Sequence, residues 1–229
     1  MSATAKNSSS PASVVTALYL RTKALHLEAE RTGIIRDLLR GEASRDGYVL
    51  LLRNLLPAYQ AMEHELQRHR GSAILGVIAD YGLERTAAIE ADLAALCGAR
   101  WSHDIPMLAA GQRYASRVQE AAKGNGARLI AHAYTRYLGD LSGGQILQRL
   151  LARSLQLRPA ELSFYDFPRF SDLEALKADY RKALDQAGAL AADPDAVIEE
   201  GAVAFSLNID LSCAVQSMAT GASEVAAAE

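Results

Sequence analysis

Several things this sequence lacks narrow what the protein can be. Only two cysteines, Cys97 and Cys213, occur in 229 residues. They stand far apart without zinc-ribbon or redox-pair spacing, so reduced thiols of a cytosolic protein are expected. No segment reaches the roughly 18 consecutive apolar residues that span a bilayer. Residues 1–12 are Ser/Ala-rich and lack the apolar centre of a secretory signal. A cytoplasmic protein with no membrane anchor is therefore expected. Charge of one sign is missing too: the formal net charge is -3, with acids and bases mixed along the chain. Such a surface gathers neither nucleic acid nor an anionic membrane. Aromatic residues make up 6% of the chain, and β-branched residues are few beside alanine and leucine. That balance disfavours strands and points to an all-α domain.

What is present fits one domain, since half of the residues are hydrophobic and the length suffices to close one apolar core. The expected layout is a loose N-terminal tail over 1–12, a single domain over 13–218 and a flexible C-terminal tail over 219–229. Amphipathic periodicity predicts a first helix over 14–39, ended by Gly41 and the turn residues that follow. A second runs over 48–69, bent at Pro57. A third covers 84–96 with Gly98 as its cap, and a fourth opens at Ile105-Pro106 and fades at 123–126. The longest covers 127–155 and stops before Pro159. An irregular aromatic connection over 163–171 leads to helices over 172–187 and from Asp195 to about Met218, the latter capped by Asp193-Pro-Asp195. The sum is an irregular bundle of about seven helices, whose sites are built from side chains on facing helices.

The longest predicted helix carries the chemistry. Gly139, Gly143 and Gly144 each cost about 1 kcal/mol relative to alanine in a helix interior, so their presence asks for a reason. Gly139 and Gly143 share a face and clear it of side chains. A tight helix crossing would explain them equally well on this basis. Asp140 lies one turn after Arg136, which permits an ion pair beside the glycines. A carboxylate next to a space free of side chains can organise water for proton delivery.

His26 stands out among the five histidines because small residues (Thr22, Ala29, Gly33) share its helical face, leaving room for a flat cofactor. Glu30, one turn on, is placed to orient its ring as carboxylates behind metal ligands do. His64, His69, His103 and His132 read as surface residues. Other chemistries fail on spacing. His64-Glu65 begins a zincin helix but Arg68 stands where the second histidine belongs, no Glu-x-x-His is present for a di-iron bundle, and no Cys-x-x-Cys-His attaches a heme covalently.

The run Ala131-His-Ala-Tyr-Thr-Arg-Tyr-Leu-Gly-Asp-Leu-Ser-Gly-Gly-Gln145 resembles the distal-helix signature of the heme oxygenases, and Leu25-His-Leu-Glu-Ala-Glu30 resembles their proximal helix. Weaker likenesses lie in Tyr59-Gln-Ala-Met62, Lys177-Ala-Asp-Tyr-Arg181 and Ala204-Phe-Ser-Leu-Asn208. The resemblance spans residues 14–218. It implies heme sandwiched between a proximal helix and a kinked distal helix, held without covalent attachment and serving as both substrate and cofactor. It further implies oxygen- and reductant-dependent cleavage at a meso carbon, the α position, to biliverdin, carbon monoxide and ferrous iron. Oxygen and an electron-donor protein (ferredoxin, flavodoxin or reductase) would be the partners.

Residue by residue, the resemblance makes His26 the iron ligand, tuned by Glu30. Gly139 and Gly143 would let the backbone lie over the heme, with Gly144 beside them. Asp140, with Arg136, Tyr59 and Asn208, would anchor the proton-delivering water network, and Phe205 would stand in the pocket wall. Tyr134, Lys177 and Arg181 would pair with the propionates. One position departs from the pattern: Tyr19 stands seven residues before His26, where a propionate-pairing lysine is common. Two other readings share parts of this pattern. A heme carrier or sensor would keep His26 and the basic clamp, and a cofactor-free interaction protein would use the glycines only for packing.

Overall fold

The computed structural model describes residues 13–226, with side chains through Gly221. The N-terminal tail expected over 1–12 lies outside the described residues. Among the described residues no strand occurs, as a chain rich in alanine and leucine predicts.

The expected first helix is two helices, α1 (Val14–Ala29) and α2 (Gly33–Arg40). The break has a clear cause. Gly33 has φ of +59°, a conformation that disfavours any side chain, and an added Cβ would meet the Cys213 backbone nitrogen at 2.6 Å. The chain turns there so that its backbone can press on the last helix, and Ser212 Oγ accepts the Ile35 N–H at 3.1 Å. Gly33 therefore serves a helix crossing and does not extend the small-residue face of His26.

α3 (Arg45–Arg68) runs through Pro57 without interruption and is capped by Ser44, whose hydroxyl accepts the Gly47 N–H. Its Tyr48, Leu51, Leu52, Leu56, Tyr59 and Met62 are fully buried. It packs on α5 (Thr86–Cys97) and α7 (Ala109–Ala121). Two single-turn helices that periodicity cannot show, α4 (Gly76–Ala79) and α6 (Trp101–Asp104), flank α5 in sequence.

The segment read as the longest helix is a composite. α8 (Leu129–Ala133) passes into two five-residue π-helical turns, Tyr134–Leu138 and Asp140–Gly144, before α9 (Gln145–Ser154). Widened turns of this kind are rare and often mark functional sites. The longest helix is instead the last, α11 (Pro194–Ala226), which follows α10 (Leu173–Ala189). It continues through residues 219–226, where a flexible tail was expected; no proline interrupts that alanine-rich stretch. Over Pro194–Gly221 it is long and apolar enough to cross a membrane by length and composition. It nonetheless packs against α1, α2, α3, α7 and α8, and carries a buried charge cluster in which Glu200 accepts from Arg117 Nε at 2.8 Å and meets His132 Nε2 at 3.0 Å. It is a core helix. The same cluster corrects the surface reading of His132, whose imidazole is fully buried; its partner stands 68 positions away.

Candidate functional site

The two π turns place Arg136 and Asp140 toward α3 and α11, and a continuous buried network results. The Tyr59 hydroxyl donates to Asp140 Oδ2 at 2.6 Å and accepts from Arg136 Nε and Nη2 at 2.8 and 2.7 Å. Arg136 Nη2 also reaches Asp140 Oδ1 at 3.4 Å, while Nη1 donates to Asn208 Oδ1 at 2.6 Å. The Asn208 amide is fixed in turn, because its nitrogen donates to the Tyr114 hydroxyl and the Ala204 carbonyl. Four residues singled out in the sequence, Tyr59, Arg136, Asp140 and Asn208, are thus brought into one hydrogen-bonded array. Tyr114 completes it and was missed; as one more aromatic on the apolar face of α7, it carries no local signal.

Burial pushes the Asp140 carboxyl up, and the Arg136 charge and the Tyr59 hydrogen bond pull it part of the way back. Burial likewise raises the Tyr59 phenol well above its ordinary value despite the opposing charge of Arg136. For Arg136 burial works against the charged form, but Tyr59, Asp140 and Tyr114 outweigh it, so the guanidinium stays protonated. The array holds a carboxyl that retains its proton to higher pH than an ordinary aspartate, beside a fixed cation.

Beneath it lies a rigid floor. Phe164 packs edge-on against Tyr59 at 5.4 Å, and the Asp92 carboxylate accepts the backbone N–H groups of Ser163 and Phe164, both at 2.8 Å. Arg85 lies over the Phe167 ring at 4.1 Å and donates to the Asp166 carbonyl. This pins the aromatic connection expected only to be irregular. Its tight turns run through Pro159–Glu161 and Ser163–Tyr165.

The three glycines have different surroundings. A Cβ at Gly139 or Gly143 would meet nothing within 4 Å, so this face of the π turns is bare backbone beside open space. Gly144 faces the other way: an added Cβ would lie 3.0 Å from Tyr165 Cδ1, and close packing accounts for it.

His26 stands on the exposed side of α1, its side chain 57% accessible, with Nδ1 3.6 Å from Glu30 Oε1. Its ring lies 5.7 Å from that of Phe205 on α11. Phe205 and Asn208 are one helical turn apart, so α11 carries both the neighbour of His26 and a member of the Asp140 array. Tyr134 is half-buried: burial raises its phenol, Thr22 and the Arg181 charge lower it, and Tyr19 stands close enough to raise it. Tyr19, Thr22, Tyr134 and Arg181 therefore gather at one edge. Lys177, one turn before Arg181 on α10, is already paired with Glu174 at 2.7 Å.

An exposed imidazole on one helix, a backbone face stripped of side chains on another, and a cationic edge suit a flat dianionic macrocycle with a metal at its centre. The donor set fits heme.

Comparison with known proteins gives the same direction. Residues 12–214 match the family model described as heme oxygenase. The chain is 38% identical to heme oxygenase 1 of Homo sapiens over 215 residues, covering 93% of this chain and 75% of that protein. It is 36% identical to heme oxygenase 1 of a Nostoc species, covering 85% and 82%. The crystal structure of heme oxygenase-1 from a Synechocystis species, solved in complex with heme, superposes with a TM-score of 0.87 at 32% identity, covering 94% of this chain and 97% of that one.

Proposed function

The chain belongs to the heme oxygenase family, oxidoreductases that degrade heme to biliverdin, and from that premise we propose which of its residues perform the reaction. Heme is held without a covalent bond, as substrate and cofactor. When bound it supplies the iron at which oxygen is activated and the meso carbon at which the ring opens, giving biliverdin, carbon monoxide and ferrous iron.

His26 ligates the iron. Its Nδ1 lies 3.6 Å from Glu30 Oε1, which orients the ring and leaves Nε2 free to ligate. Gly139 and Gly143 would let the ring approach the backbone, since neither puts a side chain on that face. Asp140, held by Tyr59 and Arg136, orders water on that face and passes protons to the reacting oxygen, the role for which its retained proton suits it. Arg181, Tyr134 and Lys177 pair with the propionates, and Phe205 closes the wall beside His26. Oxygen and a ferredoxin, flavodoxin or reductase are the proposed co-reactants, in the cytoplasm. The proposed cleavage position is the α-meso carbon.

One observation supports this reading above the rest: the Tyr59–Arg136–Asp140 array stands on the same π turns as the bare glycine face. A carrier of heme has no use for such an array, nor has a packing protein. Hemin added to the purified protein should give a histidine-ligated absorption band that His26→Ala loses. Electrons and oxygen should then convert the band to bilin absorption. Failure to form the band would overturn the assignment of the pocket, and an unaltered spectrum in His26→Ala would move the ligand elsewhere.

A further inference from the structure

Behind the first π turn, on the side away from the bare glycines, lies a second cavity of about 220 Å³. It is bordered by α3, by α4 and by the loop that leads into α5, and it opens to solvent beside the exposed Glu84. Its polar lining comes from Glu63, Gln67, Glu84 and Tyr137; Leu66 and Ile78 form its apolar wall, and Tyr81 lines it too.

Tyr137 is 3% exposed, and its hydroxyl has no hydrogen-bond partner among the described residues. Burial first, and then the charge of Glu63, the Tyr180 phenol and the charge of Glu84, push the phenol well above its ordinary value. That hydroxyl is not cut off from solvent, so a molecule in the cavity can reach it. Neither carboxylate has an ion-pair partner among the described residues. Glu63 Oε1 accepts the backbone N–H groups of Arg85 and Thr86, which holds it at the cavity wall. The Arg85 guanidinium, the nearest candidate for neutralising it, is committed to the carbonyls of Leu83, Phe164 and Asp166. No lysine or arginine lines the space.

The cavity thus presents two carboxyl groups without a cationic partner, of which Glu63 holds the backbone N–H groups at the start of α5, together with the Tyr137 hydroxyl, the Gln67 amide, two aromatic rings and an aliphatic wall. A hydrated metal ion suits it poorly, because half of the lining offers no ligand. We propose that this cavity binds a small primary alkylammonium ion, its three N–H groups donating to Glu63, Glu84 and the Tyr137 hydroxyl oxygen and its alkyl chain lying along Leu66 and Ile78. The rings of Tyr81 and Tyr137 add attraction for the cation. The site is separate from the heme pocket. None of its lining residues is among those assigned to heme, and Tyr137 lies with its ring 6.4 Å from that of Tyr59.

The test is a titration of the full chain, carrying ¹³C-labelled tyrosine, with n-butylammonium chloride at constant ionic strength. Tyr137→Phe and Tyr81→Phe assign the two signals. Saturable shifts of both signals are expected, absent with n-butanol and with magnesium chloride. Glu84→Gln should weaken the fitted affinity at least tenfold. Glu84 is exposed and bonded to no other group, so this variant should retain the wild-type melting temperature. The proposal is overturned if no saturable shift occurs, if n-butanol reproduces it, if magnesium alone elicits it, or if Glu84→Gln binds as the wild type does.

Discussion

At the scale of single residues, the account rests on Asp140 and the groups that hold it. Its carboxyl is buried, which favours the protonated form, while the Tyr59 hydrogen bond and the Arg136 charge favour the ionised one. Removing the phenol hydroxyl leaves burial less opposed. Tyr59→Phe should therefore move the Asp140 titration to higher pH, and the rate of biliverdin formation against pH should show its limb displaced upward relative to wild type. An unshifted limb would mean that Asp140 does not govern that limb. At the propionate edge, Arg181→Glu should reduce heme affinity and spread the product over more than one biliverdin isomer, read by chromatography. Tyr19 stands where a lysine would add a further cation, and Lys177 has to leave the exposed Glu174 to join, so this edge depends most on Arg181.

Tyr59, Arg136, Asp140 and Asn208 were legible in the sequence because all four fall in short recognisable runs and Arg136 and Asp140 are one turn apart. Tyr114 was not, because it meets Asn208 across 94 positions and only the packed bundle brings them together. His132 was misread for the same reason: nothing within a turn of it announces Glu200.

At the scale of elements, periodicity located the long helices well and their breaks poorly. The turn between α1 and α2 depends on a backbone contact with α11, which no local pattern encodes. Gly33→Ala should destabilise the fold by about 3 kcal/mol, combining a strained φ with overpacking against Ser212 and Cys213; a melting temperature equal to wild type would show that the crossing relaxes. The turns after α9 supply a pH test. Glu161 is held down to about 2, chiefly by the Arg158 side chain and backbone N–H and by Arg45. A carboxylate whose folded value is depressed stabilises above its ordinary pKa and loses that contribution as pH falls toward the folded value. Glu161→Gln should melt below wild type by a constant margin above about pH 5, and the margin should shrink between pH 4 and 2. A margin independent of pH would place the effect in packing instead.

At the scale of the whole molecule, one core closed around α3 and α11 serves both stability and site. α11 contributes the Phe205 ring beside His26, the Asn208 amide of the distal array and the buried Glu200 cluster. Its composition would pass for a membrane span, and one face of it packs on α1, α2, α3, α7, α8 and α10, with about a third of the apolar stretch buried. The all-α class was readable from composition, because a chain poor in β-branched and aromatic residues has little from which to build a sheet. The division into small turns and the widening of the distal helix were not, since both follow from contacts made only in the assembled bundle.

The central claim is that the Tyr59–Arg136–Asp140 array delivers the protons for ring opening. Single turnover of the hemin-loaded protein, with wild type and Asp140→Ala supplied with the same reductant and oxygen, tests it most directly. Both should show the same histidine-ligated heme spectrum, and only the wild type should yield biliverdin and carbon monoxide. Biliverdin formed by Asp140→Ala at the wild-type rate would contradict the account.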